Sequence, residues 1–171
     1  EFTTKRHPAR IRYKIGVKHD GTITAIDALF EMDGGAYSTM SPVVLSRAII
    51  HACGAYRCDD VKIDGYAYAT NNVTSGAFRG FGVPQAFFPL EVHIDRVAKA
   101  IGISPLEMRR KNILREGDTT ATGQRMDASL AASDVLKEAV RISRFDDHAR
   151  DIPSNEKSAI RRGIGMSLFS H

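Results

Sequence analysis

The sequence predicts a mixed α+β fold in which a β-hairpin and further strands precede a run of helices. Three observations carry that reading. Residues 10–33 hold two extended, apolar-rich stretches separated by the turn-forming "HDG". Residues 84–143 hold three helical stretches, one with apolar side chains at three- and four-residue steps, one opened by a capping box and one amphipathic. The final "RRGIGMSLFS" returns to strand character. Strands, then helices, then a closing strand suit an α+β or open α/β arrangement. At 171 residues, 43% apolar and 26% charged, the chain can build one domain with a hydrophobic core. No repeat, low-complexity segment or clear linker divides it, so residues 1–171 are read as a single domain or a piece of one.

The elements follow in order. "RIRYKIGVK" alternates Ile11, Tyr13, Ile15 and Val17 with polar neighbours, and "TITAIDALFEMD" continues as a second strand after a turn at Asp20-Gly21. "GGAYSTM" is a loop or irregular edge. "SPVVLSRAIIHACG" reads as a buried helix with Ser41 as N-cap, Pro42 in the first turn and Gly54 at its end. "DVKIDGYAYAT" is another strand, though Val61, Ile63, Gly65 and Tyr66 spoil strict alternation. A glycine-aromatic loop, "GAFRGFG", precedes a helix from Pro84 to Ile101 that carries Ala86, Leu90, Ile94 and Val97 on one side; Pro89 asks for a kink or a first-turn adjustment. "SPLEMRRKNIL" is the clearest local signal, a capping box of Ser104 and Glu107 around Pro105. "LREGDTTATGQRMD" is a polar loop, "SLAASDVLKEAVRIS" an amphipathic helix, and a polar, Pro-containing stretch runs to about Ser158.

Charge and composition exclude several classes. A net charge of +4 and a pI near 9.2 come from 24 basic and 20 acidic residues interleaved along the chain, which describes a solvated mixed surface better than a nucleic-acid face. No apolar run approaches the roughly 18 residues of a membrane span, and no signal peptide is visible. The chain opens on Glu1 and closes inside an expected strand, so the expectation is a piece of a longer protein. Cys53 and Cys58 match neither CxxC nor, with His51, a zinc pattern, and are read as reduced structural cysteines of a cytoplasmic-type protein.

Candidate sites are few. GAFRGFG is neither GxGxxG nor GxxxxGK[ST], and its Phe side chains do not suit a bare phosphate cradle. "RGFGV" faintly echoes the aromatic strand of an RNA-recognition module, but the helix directly after it breaks that order, so no nucleic-acid partner is expected. Phe78 and Phe81 can equally be core aromatics of a tight loop. Asp27, Glu31 and Asp33 read as a solvated strand edge, and His7, His51, His93 and His171 lack the spacing for metal or nucleophilic chemistry. Arg47 differs in kind: a cation inside "VVLSRAII" requires a carboxylate, a carbonyl or a ligand.

From "TTKRHPARIRYKIGVKHDGTITAIDALFEMDGGAY" through "SRAIIHACGAY", "SGAFRGFGVPQ" and "ISPLEMRRKNILREGDTTATGQ" to "RRGIGMSLFSH", the chain resembles the molybdenum-cofactor-binding part of the xanthine dehydrogenase and aldehyde oxidase family, with bacterial xanthine dehydrogenase the nearest in kind. The resemblance implies a molybdenum hydroxylase that oxidises a purine such as xanthine with oxygen drawn from water. It implies a molybdopterin cofactor, with the cytosine dinucleotide form as one option, and iron-sulfur clusters and FAD on other parts of the enzyme. It implies that Phe78, Arg79 and Gly80 bind the cofactor, with the Arg79 backbone near the molybdenum centre. Phe81 then stacks on a flat heterocycle, and Arg47 binds the substrate and stabilises charge developing on its ring.

The same resemblance marks what this chain lacks: the family's glutamate base has no counterpart in it, so no catalytic residue is assigned and the isolated chain is expected to be inactive. The expected partners are the remainder of the molybdenum-binding polypeptide and the iron-sulfur and flavin modules, with no membrane. Two alternatives stand beside the purine reading: a relative acting on aldehydes, nicotinate or carbon monoxide, and a non-catalytic scaffold module.

Overall fold

The computed structural model describes residues 3–151, 160 and 162–170, with the side chain of Asp151 outside that set. Strand β1 (Ala9–Val17) and strand β2 (Ile23–Gly35) form the expected antiparallel hairpin, Tyr13 opposite Ala28 and Ile15 opposite Ile26. Its turn closes with Gly21 N donating to Lys18 O at 2.9 Å and Thr22 N donating to Asp20 Oδ1 at 3.0 Å. Helix α1 (Ser41–Ile50) then carries the chain to strand β3 (Asp60–Ala69), which pairs parallel to β2. The sheet order is therefore β1-β2-β3, with β2 in the middle.

That position explains β2. From Ile26 onward its even residues, Ile26, Ala28, Phe30 and Met32, are buried, while Asp27, Leu29, Glu31 and Asp33 are only half-buried. The expected solvated strand edge at Asp27, Glu31 and Asp33 is corrected here: the strand is central, and the acids find partners on either side. Asp27 faces Lys14 at 3.9 Å and Glu31 faces Arg12 at 3.5 Å, both across the pair with β1. Asp33 accepts from Gly35 N at 2.9 Å, from Thr70 Oγ1 at 2.6 Å and from Asn72 Nδ2, tying the end of β2 to the loop after β3. Those bonds hold its carboxyl below the ordinary carboxylate range.

Helix α1 begins one residue earlier than its sequence suggests. Ser41 is not the N-cap but the first helical residue; Met40 holds the cap position without a side-chain bond. The Ser41 hydroxyl is engaged instead with His7 Nε2 at 2.7 Å, a contact 34 residues away in sequence. Only one side of the helix is buried, through Val44, Leu45 and Ala48, and it stops at Ile50 with turns continuing to Gly54.

Helix α2 (Val83–Ile101) runs through Pro89 as one element and ends at Gly102 in the left-handed conformation. Ala86, Phe87, Leu90, Glu91, Ile94 and Ala98 form its buried stripe. Helix α3 (Pro105–Asn112) has the expected capping box, with Glu107 N donating to Ser104 Oγ and Ser104 N donating to Glu107 Oε2, both at 3.0 Å. Its last residue, Asn112, ties three segments together: it accepts from Ile23 N and donates to Gly21 O and Met108 O, all at 2.8 Å. Helix α4 (Ala132–Ser143) matches the expected amphipathic helix, and α5 (Phe145–Asp151) occupies the start of the stretch expected to be irregular. The rest of that stretch, through Ser158, lies outside the described residues, as does His171.

The expected closing strand is not formed. Residues 162–170 have no strand partner among the described residues, and alternation alone cannot supply one. The segment is held by side chains and one amide: Leu168 N donates to Glu91 Oε2 at 2.9 Å, and the Phe169 and Phe87 rings lie 4.7 Å apart. Cys53 and Cys58 are both buried free thiols, and burial pushes the Cys53 thiol up to about 12. Among the described residues no helix is long and apolar enough to cross a membrane.

Candidate functional site

The glycine-aromatic loop is anchored before it turns. Gly76 N donates to Lys5 O and Ser75 N donates to Gly34 O, both at 3.0 Å, and the Thr39 hydroxyl donates to Ser75 O at 2.8 Å. The chain then makes two tight turns in succession, with Phe81 N donating to Phe78 O at 2.8 Å and Val83 N donating to Gly80 O at 3.0 Å. Three consecutive residues have positive φ: Gly80 at 87°, Phe81 at 45° and Gly82 at 100°. A Phe in that region is strained, by about 1–3 kcal/mol, and persists only where its surroundings hold it.

Gly82 shows what holds it. A Cβ there would sit 2.2 Å from Val44 O and 3.1 Å from Ala48 N, so the turn rests directly on the backbone of α1. Only a residue without a side chain permits that approach. Val44 and Ala48 flank Arg47 on α1, so Gly82 brings the element bearing Phe81 against the element bearing Arg47. Phe81 is half-buried and packs on the cluster of Ala28, Phe30, Val44 and Ala48, so it is in part the core aromatic that composition alone allowed. Phe78 is 48% exposed, Arg79 is exposed and Gly80 is half-buried. Arg47 is half-buried, and its carbonyl accepts from His51 N at 3.3 Å and from His51 Nδ1 at 2.8 Å.

Two residues of "RHP" complete the arrangement: Arg6, which sequence reasoning did not single out, and His7, which it set aside for lack of a partner spacing. Arg6 donates from Nη2 to Arg79 O at 2.7 Å and from Nη1 to Gln85 Oε1 at 3.2 Å, and its guanidinium lies 4.7 Å over the Phe78 ring. His7 is buried against Ser41 at the start of α1, and Pro8 O accepts from Asp33 N at 2.9 Å. Burial lowers the His7 pKa, with Asp33 opposing, which favours the neutral ring, and its Nδ1 is buried without a hydrogen-bond partner among the described residues. One tripeptide thus pins the turn, α1 and β2 together. Periodicity could not reveal this, because the Arg6 contacts span 73 and 79 residues of sequence.

The chemistry of the loop suits an anionic group. Residues 70–90 contain no Asp or Glu, and the loop and its support carry Arg6 and Arg79. Among the described residues, the backbone N–H groups of Ala77, Phe78, Arg79 and Gly80 donate to no protein acceptor. Successive free amides leading into a turn are groups that suit an anion. A cavity of about 820 Å³ elsewhere is lined by Cys53–Tyr56, α4 and residues 164–170, and is apart from this loop. No group of three or more His, Cys, Asp or Glu among the described residues could hold a metal directly.

Residues 1–113 match the molybdopterin cofactor-binding domain. The chain belongs to that family. The expectation drawn from the AFRGFG and RHP motifs is therefore met at the level of the family. The chain is 36% identical over 98% of its length to a probable xanthine dehydrogenase subunit of Bacillus subtilis (strain 168), and 39% identical over 80% to the nicotinate dehydrogenase large molybdopterin subunit of Eubacterium barkeri. It spans 22% and 32% of the lengths of those two relatives. Among solved structures it resembles the aldehyde oxidoreductase from Desulfovibrio gigas with a TM-score of 0.84 at 32% identity, covering 92% of this chain and 17% of that one. The mixed α+β architecture thus matches one portion of that aldehyde oxidoreductase's chain.

Proposed function

We propose that this chain is one piece of the molybdenum-cofactor-binding domain of a hydroxylase that oxidises a purine such as xanthine. The observation that carries the reading is the seating of Gly82 on the α1 backbone, which sets the Phe78–Phe81 turn beside the helix bearing Arg47. When bound, the molybdenum cofactor supplies oxidation of a carbon beside a ring nitrogen with oxygen from water, and electrons leave to iron-sulfur clusters and FAD on other parts of the enzyme.

The residues of this chain bind and orient. Phe78, Arg79 and Gly80 hold the anionic cofactor through unpaired amides and the Arg79 charge, with the Arg79 backbone beside the molybdenum centre. Phe81 presents its ring to a flat substrate. Arg47 offers its guanidinium to negative charge that develops on the purine ring, where a cation held in place acts mainly on the transition state. The chain supplies no general base, so the base, the rest of the pterin grip, and the iron-sulfur and flavin modules belong to the remainder of the enzyme. On this reading the isolated chain is inactive and the enzyme is cytoplasmic.

A second reading is favoured by the 39% identity to the nicotinate dehydrogenase subunit, and extends to aldehyde and carbon monoxide relatives. Arg47→Met in the full-length enzyme separates the two. Purine oxidation predicts a fall in xanthine kcat/KM of about 100-fold or more, the usual cost of losing one transition-state donor, with molybdenum content unchanged. Xanthine turnover unaffected by the substitution, or a wild-type enzyme that oxidises nicotinate or benzaldehyde but not xanthine, contradicts the purine assignment.

A further inference from the structure

We infer that Arg6 is the positioning residue of the cofactor turn, and that it works by fixing the orientation of the Arg79–Gly80 peptide. The guanidinium makes three contacts with this one feature. Nη2 captures the Arg79 carbonyl at 2.7 Å, Nη1 holds Gln85 Oε1 at 3.2 Å in the first turn of α2, and the charged plane covers the Phe78 ring at 4.7 Å. The fork geometry of Arg suits this, since two of its donors reach points on either side of the turn at once.

The consequence follows from peptide geometry. Among the described residues there are no cis peptide bonds, and across a trans peptide the C=O and N–H point in opposite directions. With the Arg79 oxygen drawn to Arg6, the Gly80 N–H is directed away from Arg6, and it donates to no acceptor among the described residues. Gly80, with φ of 87°, leaves this peptide unit beside a soft hinge that could otherwise let it flip. Arg6 therefore selects which side of the turn offers a donor, and the offered donor suits an anionic oxygen of the ligand. Arg6 itself points to the far side and is only half-buried, so it touches the Phe78–Arg79 backbone and ring and not the offered amide.

This inference rests on the reading that the turn holds the cofactor, and the test separates the two. Arg6→Met and Arg6→Lys are made in the full-length enzyme. Hydrogen–deuterium exchange is followed over peptides spanning residues 77–88, whose bonded amides include Phe81, Val83 and Gln85, and molybdenum per protomer is measured alongside. Arg6→Met is expected to speed exchange in those peptides about tenfold, the scale of one lost charge-assisted bond, to leave β1 and β2 unchanged, and to lower molybdenum content in step. Arg6→Lys, which keeps a cation over Phe78 and one donor for Arg79 O, is expected to recover most of both. Unchanged exchange over 77–88, or acceleration spread equally through β1 and β2, overturns the role of Arg6. Loosened amides with unchanged molybdenum overturn its aim at the cofactor. A wild-type enzyme without molybdenum overturns the cofactor reading itself, while the exchange result still decides whether Arg6 holds the turn.

Discussion

Replacing Arg109 by Met is expected to destabilise the chain by about 3–5 kcal/mol, the usual cost of stripping one partner from a buried ion pair. The side chain is fully buried. It donates to Glu91 Oε2 from Nε at 3.1 Å and Nη2 at 2.8 Å, to Asp95 Oδ1 at 2.6 Å and to Pro105 O at 3.1 Å. Glu91 is also the acceptor for the Tyr56 hydroxyl at 2.6 Å and Leu168 N at 2.9 Å. One carboxylate thus joins α2, α3, the Cys53–Cys58 turn and the C-terminal segment. Burial and the Glu91 charge hold the Tyr56 phenol well above its ordinary range, so it remains a donor throughout the physiological range. Without Arg109 the Glu91 charge stays in the core without compensation, whereas removing both charges costs far less. Urea denaturation should therefore show a large loss for Arg109→Met and a substantial recovery in the double variant Arg109→Met, Glu91→Leu. A single variant within about 1 kcal/mol of wild type, the scale of an exposed pair, contradicts the account.

Gly82→Ala is expected to have the largest effect on cofactor retention. The new Cβ meets Val44 O at 2.2 Å, which is backbone and cannot rotate aside, so the turn must lift from α1. The φ of 100° adds strain of about 1–3 kcal/mol for any residue with a side chain. Gly117 supplies the control, because its φ is 86° but nothing lies within 4 Å of a Cβ built there. In the full-length enzyme, Gly117→Ala should show only the backbone penalty and keep its molybdenum. Gly82→Ala should lose most of its molybdenum, measured by elemental mass spectrometry on purified protein. Equal molybdenum content in the two variants would mean that contact with α1 does not shape the cofactor turn.

The features legible in the sequence are those made by neighbours. The hairpin at Asp20-Gly21 and the Ser104–Glu107 capping box depend on residues a few positions apart, and both occur as read. The N-cap at Ser41 fails because a histidine 34 residues away claims its hydroxyl. The closing strand fails because alternation describes a face, not a partner. Nor does periodicity state that β3 pairs parallel to β2 instead of extending a meander. Arg109 hid in "RRKN", which looks like a solvated charge run. Its place three residues after buried Leu106 and three before buried Asn112 was the available signal that it shares the inner face of α3. For the site, the motif located the turn and the helix but not their contact, which depends on Gly82 meeting Val44 far back in the chain. The part played by Arg6 depends on a bond no local pattern encodes.

The most direct test is an anomalous-difference map at the molybdenum absorption edge, from crystals of the full-length enzyme isolated with its cofactor. One molybdenum peak per protomer is expected beside the Arg79–Gly80 backbone, on the side opposite Arg6, with the Phe81 ring and Arg47 facing the same space. A peak distant from residues 78–82, with that turn contacting only protein, would contradict it.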